Sequence, residues 1–183
     1  GKLPRPSSGS EEEDFEFIEE SDEEKVHNLV LDLYMNKLPQ SFKFDPSTEI
    51  QILSPMRKGQ LGIHALNRSI QTRKWGAKKP LVTNGDGIKL FLGDKVIQTS
   101  NDYELGVMNG DIGIIQSGGK KLNVSINGET VVYEPEEAHA LEAAYAISIH
   151  KSQGSEYPVV IVPITRTHMH MLGRNLLYTA ITR

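Results

Sequence analysis

The sequence predicts an α/β chain in which a parallel-sheet domain is interrupted by a small antiparallel β-barrel. Three observations carry this prediction. Short β-prone runs alternate with amphipathic helical stretches toward both ends of the chain, as in EIQILS at 49–54 followed by the helical period of 61–73. From Gly85 to Pro135 that periodicity gives way to short alternating runs: KVIQT, DIGIIQ, KLNVSI and TVVYE. These runs are separated by Asn109-Gly110, Gly118-Gly119 and Asn127-Gly128, the residue pairs that tight hairpins require.

Taken in order, the opening GKLPRPSSGSEEEDFEFIEE is rich in Pro, Ser, Gly and acids and has too little apolar surface to order itself. Residues 1–24 are therefore expected to be a flexible acidic lead-in. Over 21–37, Ser21 as a cap, Glu24 three residues on and Val26, Leu29, Val30 and Leu33 at helical spacing predict an amphipathic helix. EIQILS is a strand ended by Pro55, and Leu61, Ile63, Leu66 and Ile70 define the helix that follows. After the alternating segment, AYAISI and PVVIVPI read as buried strands and RNLLYTAIT as the start of a helix. The expected organisation is thus a discontinuous parallel-sheet domain over 25–84 and 136–183, with an insert at 85–135.

Composition narrows the function classes. The 183 residues contain no cysteine, which removes disulfides and thiolate metal sites and suits a reducing compartment. No apolar run reaches the roughly 20 residues that span a bilayer, so no membrane partner is expected and the expected location is cytoplasmic. The net charge of −4 hides an asymmetry: ten acids stand against Lys2 and Arg5 in residues 1–24, a net of −8, leaving +4 for the rest. A mildly basic body is compatible with phosphate binding, and an ordinary mixed surface fits the same number.

Two stretches hold the candidate chemistry. HKSQGSEYPVVIV places His150, Lys151, Ser152 and Gln153 between two apolar strands, and the carboxyl end of a strand is where open α/β sheets bind ligands. Gly154 admits close backbone approach, while Ser155 and Glu156 add a hydroxyl and a carboxylate. A polar turn joining two core strands is the competing reading. In RNLLYTAITR, Arg183 ends an apolar-faced helix, where a guanidinium suits a phosphoryl group in transition and equally an ordinary surface. Trp75 beside Arg73, Lys74, Lys78 and Lys79 suits base stacking or the edge of a core. His168 and His170 lack a third ligand at metal-site spacing, and no metal site is expected.

Read together, HKSQGSEYPVVIV and NLLYTAITR resemble motifs V and VI of superfamily 1B DNA helicases of the RecD/TraA branch. ILSPMRKGQLGIHALNRSIQ at 52–71 resembles that branch's motor segment before its insert, and GDKVIQTSNDYELGVMNGDIG at 93–113 the start of the insert. The resemblance covers Gln51 to Arg183. It implies a second RecA-like motor domain interrupted by an SH3-like β-barrel insert, as the C-terminal part of an ATP-dependent 5′–3′ helicase of recombination and repair. It further implies that Ser148, His150 and Gln153 contact single-stranded DNA, with Arg57 and Lys58 near its path and Asn101, Tyr103 and Asn109 reaching it from the insert. Gly154 and Glu156 would face the nucleotide, and Arg183 would be the arginine finger.

The chain contains no G-x-x-x-x-G-K-[ST] loop to cradle phosphates. ATP and Mg²⁺ are therefore expected to be held mainly by an N-terminal motor domain of the same parent protein, with nuclease or recombination subunits as further partners. The expectation is an excised piece, inactive as an ATPase alone. A stand-alone DNA-binding module and the motor part of a conjugative relaxase are the alternatives.

Overall fold

A computed structural model describes residues 15–83, 87–165 and 178–180. Helix α1 (Glu23–Asp32) starts at Asp22, whose carboxylate accepts the N–H groups of Glu24 at 2.9 Å and Lys25 at 3.2 Å. The cap expected at Ser21 thus falls one residue later. Ser21 instead donates its own N–H to Glu20 Oε1, and a carboxylate is the stronger acceptor for the positive end of a helix. The helix also runs past the expected end at 37, through a π-turn at Leu33–Lys37 into α2 (Leu38–Phe42). Pro39 lies in the first turn of α2, and the widened turn before it accommodates a residue that cannot donate an i−4 hydrogen bond.

Strand β1 (Ile50–Ser54) is buried at all five positions, as a strand covered on both faces must be. It is followed by α3 (Ile63–Trp75). The short strands β2 (Val82–Thr83) and β3 (Lys89–Leu90) pair antiparallel. Four strands of the alternating segment follow: β4 (Lys95–Gln98), β5 (Ile112–Ser117), β6 (Leu122–Ile126) and β7 (Glu129–Tyr133). Asn127 and Gly128, at φ 52° and 85°, make the tight β6–β7 hairpin that the sequence pair predicts. Asn109-Gly110 does not join adjacent strand ends directly. It sits within the longer β4–β5 connection, which is tied by the Asp102–Val107 bridge.

Strand β8 (Leu141–Ala143) pairs with β4 and completes a five-stranded antiparallel sheet of order β7-β6-β5-β4-β8. After Ala144 and Tyr145 the chain enters β9 (Ala146–Ser148), which runs parallel to β1. β10 (Val159–Ile161) lies parallel on the other side of β1, giving the order β10-β1-β9.

Three apolar clusters match this layout. Val30, Leu31, Ile50, Ile52, Leu66 and Ile70 pack the helices onto the parallel sheet, and Leu90, Val96, Leu122, Val124 and Tyr133 fill the antiparallel one. Leu53, Ile97, Ala144, Ile147, Ile149 and Ala180 form the third, which draws on both sheets. Polar struts reinforce the junction. Fully buried Asp94 accepts from Trp75 Nε1 at 2.5 Å, Tyr145 Oη at 2.6 Å, Gln71 Nε2 at 2.7 Å and the Phe91 N–H at 2.9 Å. The Trp75 indole also stacks on Phe91 with centroids 6.2 Å apart, so it covers the edge of the core, one of its two readings from sequence.

Candidate nucleic-acid interface

The carboxyl ends of β1 and β9 lie side by side, because Ser54 pairs with Ser148. Each serine shapes the loop that leaves its strand. Ser54 Oγ donates to the Leu61 carbonyl at 2.7 Å and accepts the Met56 N–H at 3.2 Å, folding residues 55–62 back on themselves. The carbonyls of Met56 and Arg57 take the first N–H groups of α3, those of Ile63 and His64. Gly62 is required there, since a Cβ would run into the Lys58 carbonyl. The loop's outer face presents Arg57 and Lys58 to solvent.

On β9, Ser148 Oγ accepts the Lys151 N–H at 3.2 Å and starts a 3-10 turn, Ile149–Ser152, which is closed by Ser152 Oγ donating to the Ile149 carbonyl at 2.8 Å. Ser152 is thereby buried and structural. His150, Gln153 and Glu156 are exposed, and Gly154 follows at φ 88°, a conformation that favours glycine.

Between these loops lies a cleft of about 30 Å³, whose polar walls are Arg57, His64, Ser148, Lys151 and Glu142, over a floor that includes Ile63, Ile97 and Ala146. Burial holds the Lys151 ammonium below the usual lysine range; Glu142 opposes that shift and Arg57 adds to it. The cleft thus gathers an excess of cationic side chains around one carboxylate at the carboxyl edge of the parallel sheet.

Of the residues singled out from sequence, Arg57, Ser148 and Lys151 meet in this cleft. Lys58, His150, Gln153 and Gly154 sit on the loops and turns that leave β1 and β9, and Glu156 on the connection that returns to β10; none of them lines the cleft. Asn101, Tyr103 and Asn109 form a separate cluster: Asn101 Oδ1 accepts the Asn109 N–H at 2.9 Å, its Nδ2 donates to Tyr103 Oη at 3.4 Å, and Tyr103 is 80% exposed. Arg183, His168 and His170 lie outside the described residues. Residues 178–180 are helical, with Ala180 buried against the cluster that contains Ile147 and Ile149. The sequence reading did not single out His64 and Glu142, which also line the cleft, and gave Lys151 no specific role. The apolar-polar-apolar run Leu141-Glu142-Ala143 was the available signal, since in a strand it turns Glu142 away from its buried neighbours.

The model of the UvrD-like helicase C-terminal domain matches residues 143–183, and that of the ATP-dependent RecD-like DNA helicase SH3 domain matches residues 66–129. The chain is 38% identical over 136 residues to an ATP-dependent RecD2 DNA helicase of Deinococcus radiodurans, a match that covers 73% of the chain and 19% of that relative. It is 30% identical over 183 residues to the RecBCD enzyme subunit RecD of Mycobacterium tuberculosis, covering 95% of the chain and 31% of the relative. The chain therefore spans a third or less of the length of these two relatives. Among solved structures, the fold matches the Pif1 helicase from Bacteroides in complex with ADP-AlF3 and ssDNA, with a TM-score of 0.56 and 22% identity over 86% of the chain and 42% of that structure. Bacteroides Pif1 bound to ssDNA matches with a TM-score of 0.52 and 20% identity, over 87% of the chain and 46% of that structure.

Proposed function

This chain belongs to the RecD-like helicases, and we propose that it is the strand-gripping C-terminal part of an ATP-dependent 5′–3′ DNA helicase acting in recombination or repair. The observation that carries this reading is the cationic cleft at the carboxyl edge of the parallel sheet, where the β1 loop brings Arg57 to the Ser148–Lys151 turn. A row of phosphates is the ligand such an edge suits: a guanidinium and an ammonium supply charge, and serine and histidine supply directed hydrogen bonds.

In this reading residues 25–84 and 136–183 form the second RecA-like motor domain and 85–135 an SH3-like barrel insert. Arg57, Lys58, Ser148, His150 and Gln153 hold the phosphates of single-stranded DNA, with Tyr103 offering a stacking face between Asn101 and Asn109. The family match over 66–129 and the exposure of Tyr103 support the insert's part.

The chain's fit to a nucleotide is that of one wall. Gly154 has no neighbouring atom within 4 Å of where a Cβ would stand, which leaves its backbone open to approach, and Glu156 is exposed beside it. ATP with Mg²⁺ would be cradled mainly by an N-terminal motor domain of the parent, where it supplies the free energy for stepping. Arg183 would reach across to its γ-phosphate as the arginine finger. The packing of Ala180, three residues earlier, in one apolar cluster with Ile147 and Ile149 supports that placement. Nuclease or recombination subunits are further proposed partners, as the RecBCD name of one relative suggests.

Photo-cross-linking of a bromodeoxyuridine oligonucleotide to the chain, mapped by mass spectrometry, tests the interface. Adducts are expected on peptides containing residues 148–153 and Tyr103. Adducts confined to the α1–α2 surface would contradict it.

A further inference from the structure

We propose that Glu142 is a built-in competitor for the strand: its carboxylate neutralises Arg57 and Lys151 in the free protein and is displaced by a phosphate when single-stranded DNA binds. This inference rests on the reading of the cleft as a phosphate site and adds to it a residue that opposes binding.

Glu142 comes from β8, the edge strand of the antiparallel sheet, where it stands opposite Ile97 of β4. Leu141 and Ala143 are buried and Glu142 is half-buried, so strand alternation turns the carboxylate out toward the cleft it shares with Arg57 and Lys151. Lys151 feels both of its charged neighbours: Glu142 favours its charged form while Arg57 disfavours it. Among the described residues, the Glu142 carboxylate enters no ion pair and no side-chain hydrogen bond. A carboxylate that compensates two cations through space, without being locked to either, can yield to a better anion.

The charge balance explains why such a residue would be kept. Arg57 and Lys151 share a cleft of about 30 Å³, and two like charges there repel unless something compensates them. Glu142 compensates them when no strand is present. A phosphate entering the cleft takes over both cations but must overcome repulsion from Glu142, so the grip is weaker than two cations would give alone. A site that tracks along a strand has to release each phosphate as well as hold it, and a resident carboxylate provides that release without removing a contact.

The test is a double-mutant cycle on the 183-residue chain, read as affinity for a fluorescein-labelled oligothymidylate by anisotropy. E142Q is expected to bind about 5-fold more tightly, equivalent to about 1 kcal/mol. R57A and K151A are each expected to bind more weakly, and the gain from E142Q is expected to shrink, without vanishing, in the K151A background. Weaker binding by R57A and K151A combined with unchanged or weaker binding by E142Q would overturn the competitor role while leaving the strand-binding cleft standing. A gain that persists undiminished in K151A would also overturn it, since the carboxylate would then act by long-range charge alone. Unchanged affinity in R57A and K151A, or no binding by the parent chain, would overturn the cleft reading and this inference together.

Discussion

Asn67 holds Ala146 at both of its backbone polar groups: Asn67 Oδ1 accepts the Ala146 N–H at 2.8 Å and Asn67 Nδ2 donates to the Ala146 carbonyl at 2.9 Å. The same Nδ2 donates to the Ala143 carbonyl at 2.8 Å. One buried amide on α3 thereby sets the position of the end of β8 and the start of β9, two residues before the turn that carries Ser148 and Lys151.

Asn67→Ala leaves those backbone groups unpaired in a buried site. The expected cost is about 3 kcal/mol, at 1–3 kcal/mol for each stranded group with partial relaxation. Urea denaturation checks the stability. Because β9 loses its anchor to α3, affinity for single-stranded DNA is expected to fall as well, even under conditions where the variant is fully folded.

Lys95 gives the fold a pH dependence of known sign. Its side chain is 1% exposed, its ammonium donates to the Ile50 carbonyl at 3.2 Å and lies 5.6 Å from the Tyr157 ring, and burial lowers its pKa from 10.5 to about 8, with Asp45 opposing and Lys74 reinforcing the shift. Between these two values the unfolded chain binds a proton that the folded chain does not. Stability due to this group therefore rises with pH from about 8 toward 10.5, and below about 8 the buried charge costs on the order of 3 kcal/mol. Lys95→Met is expected to stabilise the chain at pH 7 and to flatten that rise, measured by urea denaturation of both proteins from pH 7 to pH 10. Equal stabilities at pH 7 would contradict the assignment.

Arg183→Ala, made in a full-length parent, is expected to lower ATP turnover by about 10³-fold or more, the range in which arginine fingers act. Strand affinity should change little. Steady-state ATPase rates and anisotropy on the same preparation separate the two effects, and near-normal turnover would remove Arg183 from the finger role.

What the sequence made legible follows from how local each signal is. The fully apolar β1, the periodicity of α3 and the Asn127-Gly128 hairpin rest on neighbouring residues, and each could be read directly. The cap of α1 was displaced by one residue, because Ser21 and Asp22 are both good capping residues and only the fold decides between them. The recruitment of β8 by β4 was not legible, since Leu141–Ala143 pairs with residues more than forty positions away. Asp94 and Lys95 look like surface residues in sequence and are buried at the junction between the sheets, where long-range partners rather than neighbours decide their environment. The cleft lining was legible where a motif carried it, at Arg57, Ser148 and Lys151. His64 and Glu142 reach the cleft from α3 and β8 by tertiary packing, so no linear pattern grouped them with Lys151.

The most direct test of the central claim is the salt dependence of oligothymidylate binding by the chain and by Arg57→Ala/Lys151→Ala. Both side chains are at least partly solvent-exposed, so the variant is expected to fold normally by circular dichroism. If the cleft grips the strand, affinity at low salt falls by about 10-fold or more, and the slope of log K against log salt becomes shallower by about 1.4, at about 0.7 for each lost phosphate contact on a single strand. A folded double variant with unaltered affinity and slope would contradict the account.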